Sequence, residues 1–436
     1  MSQHSLLDEA YAARHADKVD DALRIGIALL EADTAQLGAA MLVTKCLVDR
    51  DRGFLAGEIA LKLADSFVRR GDLPMAVVAA HVAEGAGEEG KAELGRIAAA
   101  FGKGSKRLGE GSPTPPPLPT DVKVAADLKK LKGDALLDRG ERALQGVLEW
   151  EDPVDANSDT PKLPLFSRLE PSALERLLAT FVIREVAANE VVVGEGEEGS
   201  EAFVLARGML EVVRGEGEQQ KTLAGLGPGA LFGEMALVSD APRAAAVIAR
   251  EPATLLVISR DSLEKAARKS PIIGEQLSAF CRSRMLSNLM RHSPILAAVA
   301  PTERQALLER FTAQHYDEDD ILVAEGDEAQ GLFLIASGAV EVLGVDTDGD
   351  QIRIAELGPG DVVGEISLVL RRPANATVRV VHPTVAMQLT RDEFQAAIRE
   401  HPTILSELYE TATKREEETR SVVAQEALDV EDIVLL

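Results

Sequence analysis

Aromatic residues make up only 3% of this 436-residue chain, and there is a single tryptophan, Trp150. Cores must therefore be filled mainly by Ala, Leu, Val and Ile. Cysteine is nearly absent: Cys46 and Cys281 stand far apart and without metal-ligand spacing. That excludes a disulfide framework, assigns no metal ligand and fits a reducing compartment. Basic residues are in deficit, with 47 Lys and Arg against 72 Asp and Glu, for a formal net charge of -25. A field of that sign repels phosphate backbones and anionic membranes, so no nucleic-acid partner is expected. No apolar run is long enough to span a bilayer, and the N-terminus (Met1-Ser-Gln-His-Ser-Leu) lacks a basic segment followed by an apolar one. The expected address is cytoplasmic, without membrane insertion. Catalytic signatures are missing too. There is no Walker glycine loop, no Gly-x-Ser-x-Gly elbow and no His-Glu-x-x-His, so no catalytic residue is assigned and no enzyme is expected.

What remains is ordinary globular material, 46% hydrophobic and 27% charged, with a length that suggests roughly three domains. Residues 1–103 read as helical, with apolar positions at helical spacing (Leu23, Ile27, Leu30; Leu61, Ala64, Phe67) and a tight turn at Gly71-Asp72. Leu63, Ala64, Phe67, Gly71, Ala76, Ala80 and Ala83 resemble the small-and-large pattern of a tetratricopeptide repeat. A generic antiparallel bundle fits them equally well. Residues 104–163 read as a linker. A glycine-serine stretch gives way to a proline run from Pro113 to Pro119, then a short helix over 122–149 and an acidic, breaker-rich stretch from Glu151. Such a run favours an extended, semi-rigid spacer over a PxxP-type ligand.

Residues 164–275 and 294–405 are two copies of one unit. Glu195-Gly196 matches Glu325-Gly326, and Phe203 to Gly208 matches Phe333 to Gly338. Gly227-Pro228-Gly229 matches Gly358-Pro359-Gly360, Gly233-Glu234 matches Gly364-Glu365, and Arg260-Asp261 matches Arg391-Asp392. Within each copy the period is two, broken by glycines at hairpin positions, which predicts a small β-roll or jelly roll with flanking helices. The fold class expected is therefore multi-domain α+β: helices at 1–103, a linker at 104–163, β-rolls at 164–292 and 293–405, and a helical acidic tail at 406–436.

The run Phe232-Gly233-Glu234-Met235-Ala236-Leu237-Val238-Ser239-Asp240-Ala241-Pro242-Arg243-Ala244-Ala245 carries most of the chemistry. Gly233 lets backbone approach a ligand without a side-chain clash. A guanidinium at 243 can offer paired donors to a phosphate oxygen, and a carboxylate at 234 can accept a hydroxyl proton. Singly, a Gly-Glu pair is turn material, a Pro-Arg pair is a solvated loop, and Glu234 with Arg243 makes an ion pair closing a turn. Kept at full spacing inside a repeated β-unit, they favour ligand binding.

This run resembles the phosphate-binding cassette of cyclic-nucleotide-binding domains, as in bacterial cAMP receptors and the regulatory subunits of cAMP-dependent kinase. The resemblance covers both β-units. It implies that Gly233, Glu234, Met235, Ala236, Arg243, Ala244 and Ala245 line a cyclic-nucleotide site, with Glu234 on the ribose 2′-hydroxyl and Arg243 on the phosphate. It implies a preference for cAMP over cGMP, because Ala244 lacks the hydroxyl that favours guanine. It also implies a helix closing over the base, with Phe280, Met285, Leu286 and Met290 as open alternatives for the capping residue.

The second copy keeps the glycine and the glutamate, with Gly364, Glu365, Ile366, Ser367, Asn375 and Ala376 as the residues of a second site, but has Ala374 where Arg243 stands in the first. It reads as degenerate and as a lid, dimer contact or stability partner, with rescue by Arg372 as the alternative. No helix-turn-helix follows the second unit, and no inhibitory Arg-Arg-x-Ala/Ser sequence lies in the linker. The function expected is a cAMP sensor that signals to a protein partner through the N-terminal helices. The competing reading is a ligand-free adaptor built on the same folds.

Overall fold

The computed structural model of the chain describes residues 5–87, 89–110, 122–215, 220–237, 242–345 and 351–434. The proline run Pro113–Pro119, residues 238–241 of the first cassette and Leu435-Leu436 lie outside the described residues. The chain divides into two compact units. One holds residues up to Leu237 with Ala245–Phe280, and the other holds Cys281–Leu436 with the cassette segment ending at Ala244.

The first unit opens with six helices, α1 (Leu6–His15), α2 (Val19–Ala32), α3 (Leu37–Val48), α4 (Ala56–Arg69), α5 (Leu73–Ala86) and α6 (Glu89–Phe101). Local chemistry starts them. The Ser5 hydroxyl accepts from the Asp8 N–H at 3.2 Å, while Asp8 accepts from the Ser5 N–H, a reciprocal cap. Asp72 caps α5 through the Met75 N–H at 3.1 Å. Between α4 and α5 the expected turn falls at Gly71, whose φ of +73° suits glycine. Small residues do the packing that aromatics do elsewhere. Ala60, Ala64, Ala76, Ala79 and Ala80 are fully buried. Gly26 of α2 lies so close to α3 that a Cβ there would meet Val43 Cγ2 at 2.7 Å.

The helix expected within 104–163 is α7 (Asp134–Glu149), and it belongs to this helical layer. It packs on α2, α3 and α4 with Leu136, Leu144 and Val147 buried. The chain after it is tied down rather than loose. Leu108–Gly109 (β1) pairs in parallel with Thr160–Pro161 (β2). Arg70 holds Asp152 at 2.5 and 2.9 Å, both side chains under a tenth exposed. Arg107 donates to the carbonyls of Ser158 at 3.0 Å and Val68 at 2.9 Å.

After α8 (Pro171–Leu178) comes the first β-roll, with eight strands among the described residues: β3 (Val182–Val186), β4 (Val191–Val193), β5 (Glu201–Arg207), β6 (Leu210–Arg214), β7 (Lys221–Leu226), β8 (Leu231–Phe232), β9 (Ala246–Ala249) and β10 (Ala253–Ser259). They form two sheets, ordered β3-β10-β5-β8 and β4-β9-β6-β7. Alternate residues fill the core between them, among them Val193, Phe203, Leu205, Leu210, Leu255 and Val257. Helices α9 (Arg260–Lys269) and α10 (Ile272–His292) follow.

The second unit repeats the plan with α11 (Pro294–Ala297), α12 (Arg304–Leu308), β11 (Thr312–Tyr316), β12 (Ile321–Val323), β13 (Gly331–Val345), β14 (Gln351–Leu357), β15 (Val362–Val363), α13 (Glu365–Leu370), β16 (Thr377–Thr390), α14 (Arg391–Glu400) and α15 (Pro402–Val434). Two short strands of the first roll correspond here to one long bent strand, twice over. β13 carries the bend at Gly338, φ +86°, where a Cβ would come within 2.4 Å of Thr384. Gly208, φ +99°, makes the matching turn between β5 and β6.

Candidate ligand-binding cassettes

The first cassette hangs from β8. Strand pairing sets Phe203 opposite Phe232, and their rings stack at 5.1 Å. Gly233, φ +72°, then turns the chain into a short 3-10 helix, Glu234–Leu237. Glu234 is 6% exposed and Ala236 is buried, while Met235 is half-buried. Arg260, the first residue of α9, clamps this turn by donating to the Ala236 carbonyl from Nε at 3.1 Å and Nη2 at 2.6 Å. Leu237 anchors the far end in an apolar groove with Phe166, Phe181, Leu263, Ile273 and Leu277. Pro242, Arg243 and Ala245 are half-buried and Ala244 is exposed. The cassette is divided between the units: Gly233 to Ala236 and Ala245 lie in the first, Arg243 and Ala244 in the second.

The second cassette lies wholly in the second unit. Gly364, φ +88°, approaches the Gly331 carbonyl so closely that a Cβ would meet it at 2.7 Å. Glu365 and Ser367 are each 2% exposed, Ile366 is half-buried, Asn375 exposed and Ala376 buried. The Ser367 hydroxyl accepts from the Ala329 N–H at 3.1 Å. Ala374 is pinned as backbone: its N–H donates to Asp327 O, and its carbonyl accepts from Gly326 N–H, both at 2.8 Å. It is half-buried and packs against the core cluster that contains Leu322 and Val323. Arg372, the alternative source of a guanidinium, instead pairs with Glu416 of α15 at 3.0 Å.

Glu365 itself faces a cation that sequence reasoning missed. Arg415 of α15 donates from Nη1 to Glu365 Oε1 at 2.8 Å and to the Val362 carbonyl at 2.5 Å. Its Nη2 lies 3.5 Å from Asp361. The clamp by Arg260 was missed as well. A signal for it exists, since Arg260 and Arg391 stand at matched positions of the repeat, although Arg391 pairs with Glu328 at 3.0 Å.

In the first unit the helices grip the roll through buried charge. Glu185 of β3 is shared by Arg14 of α1 and Lys45 of α3. Burial pushes the Glu185 carboxyl up, but the two cations outweigh it and hold the group below its ordinary value. Burial lowers Lys45, because its one carboxylate is shared with Arg14. At the end of β5, Arg207 pairs with Asp8 and lies 3.7 Å above the Tyr11 ring. Burial lifts the Tyr11 hydroxyl to about 12.

Among the described residues no group of His, Cys, Asp and Glu is arranged to hold a metal, and no helix is long and apolar enough to cross a membrane.

Residues 183–270 and 313–401 each match the cyclic nucleotide-binding domain family. The chain is 29% identical over 214 residues to the type II regulatory subunit of cAMP-dependent protein kinase from Drosophila melanogaster, covering 49% of this chain and 53% of that protein. It is 28% identical over 216 residues to the regulatory subunit from Blastocladiella emersonii, covering 49% and 52%. The chain thus spans about half the length of these curated relatives. Among solved structures, the regulatory domain of Toxoplasma gondii PKA with cAMP aligns at 20% identity and a TM-score of 0.28, covering 57% of this chain and 92% of that one.

Proposed function

We propose that this chain, which carries two cyclic nucleotide-binding domains in tandem, is a regulatory protein that senses cAMP at the first domain. It relays the ligand state to a protein partner. The observation that carries this reading is the cassette turn itself: Gly233, φ +72°, opens the short helix Glu234–Leu237, whose Ala236 carbonyl Arg260 holds. From that turn the Glu234 carboxylate can accept the hydrogen bond of a ribose 2′-hydroxyl. Arg243 neutralises the cyclic phosphate with charge-assisted bonds, and the Ala244 and Ala245 N–H groups complete the oxyanion contacts. Ala244 has no hydroxyl to bond a guanine amine, so the ligand is cAMP.

The chain does no chemistry of its own on this reading, and it works in the cytoplasm. The regulatory subunits among its relatives support a protein-kinase catalytic subunit as the partner. The grip of Glu185 and Arg207 on α1 and α3 supports the N-terminal helices as the relay, because the roll and the helices share buried charges. The adaptor reading keeps one observation, confined to the second domain: Ala374 leaves the phosphate position without a guanidinium. That domain serves as a scaffold. Isothermal calorimetry of the full chain with cAMP and cGMP tests the proposal. Tighter cAMP binding that Arg243→Ala weakens by about a hundredfold or more supports it, in keeping with the cost of unpairing a buried charge. Absence of cAMP binding to the wild type overturns it.

A further inference from the structure

Helix α15 turns a continuous stripe toward the second β-roll. Ile404, Leu408 and Ala412, spaced four apart, are buried at 2%, 1% and 0% exposure. The first two join a core cluster with Leu332, Val362 and Phe394. Three residues beyond Ala412 the stripe ends in Arg415, whose side chain is 22% exposed. Its guanidinium reaches three acceptors of the cassette: Glu365 Oε1 at 2.8 Å, the Val362 carbonyl at 2.5 Å and Asp361 at 3.5 Å. One helical position on, Glu416 takes Arg372 from the other end of the cassette at 3.0 Å, and Arg420 at 3.5 Å supports Glu416. The cassette helix α13 is therefore held to α15 at both of its ends, by an inner and an outer ion pair.

We infer that α15 is a resident latch on the second cassette: Arg415 engages Glu365, and with Arg372–Glu416 it holds this domain closed without nucleotide. Two independent features carry the inference. The carboxylate that a ligand's hydroxyl would address already has a cation on it, one that arrives on a helix seated by apolar packing. The position that would hold the phosphate is an alanine packed against the core. The domain lacks the cation for a ligand and has one from its own helix on the cassette acid. In this chain, then, the second domain is a fixed platform whose closure does not follow cAMP. This rests on the second roll being a cyclic nucleotide-binding domain, and it stands or falls independently of what the first cassette binds.

Amide hydrogen exchange of the full chain, read by mass spectrometry, tests it. In the nucleotide-free wild type, residues 365–370 and 408–420 are expected to be protected, and millimolar cAMP is expected to leave that protection unchanged. Arg415→Gln is expected to speed exchange in both segments by about tenfold or more, a local opening, with the first β-roll unaffected and with no restoration by cAMP. Arg372→Gln, at an exposed side chain where folding is safe, is expected to speed exchange in 408–420 by a smaller factor. No change in either variant overturns the latch. So does wild-type protection that appears only with cAMP, or that cAMP restores in Arg415→Gln.

Discussion

Glu185 shows how little a single residue's identity says before its neighbours are known. In the sequence it is one acidic residue in a strand. In the folded protein it neutralises Arg14 and Lys45, both largely buried. Replacing it takes the carboxylate from buried Lys45 and leaves Arg14 with Asp49, at 2.7 and 3.1 Å, as its remaining acid, at a cost of about 3–5 kcal/mol. Its carboxyl sits below the ordinary value of 4.5. Its contribution is therefore complete above that value and is lost as the pH falls through the lower, folded one. Glu185→Gln should lower the stability read by urea unfolding at neutral pH by about 3 kcal/mol, and the gap should close in acid. Asp72 has the opposite sign. Burial lifts its carboxyl from 3.8 to about 6, with the Met75 N–H opposing. The folded state holds the proton more tightly, so stability falls as pH rises across that interval. Asparagine keeps the cap without the charge. Asp72→Asn should be near neutral at about pH 4 and should stabilise by about 1–3 kcal/mol at pH 7. A Tm that does not rise at neutral pH would count against it.

Elements were legible where the signal is local. Period-two alternation and hairpin glycines located the strands of both rolls, and the Gly71-Asp72 turn fell where expected. Elements fixed by distant partners were not. The stretch from Glu151 to Pro164 reads as breaker-rich linker, yet Arg70, Arg69 and Arg107 from far upstream bind it down. No period records such pairs. The merging of strands into β13 and β16 was equally hidden, since Gly208 and Gly338 look alike in sequence. Glycine at a cassette start makes a claim that can be tested at this scale. Gly364→Ala must hold φ at +88° with its methyl 2.7 Å from the Gly331 carbonyl. It should cost about 2 kcal/mol or more, from strain and the clash together. Gly104→Ala, also at positive φ but in open space, should cost about 1 kcal/mol, the strain alone. Thermal unfolding of the two variants side by side distinguishes them.

For the whole molecule, the tandem organisation was visible in the sequence because one unit is written twice at nearly constant register. The second cassette's loss of a guanidinium was visible for the same reason. Its replacement was not. Arg415 lies 50 residues from Glu365, on a helix whose early apolar stripe gives no sign of what its arginine will touch. Arg260 left only the trace of the matched Arg391 in the repeat, as a guanidinium that meets a carbonyl leaves no pattern of opposite charges to read. These two arginines meet the cassettes differently. Arg260 braces the first turn at the Ala236 carbonyl, and Arg415 engages the acid of the second cassette. The stoichiometry of cAMP binding, measured by calorimetry on the full chain, tests this asymmetry most directly. The account predicts one nucleotide per chain, abolished or weakened by about a hundredfold in Arg243→Ala and unaltered in number by Arg415→Gln. Two nucleotides per chain, or one that survives Arg243→Ala at full affinity, would contradict it.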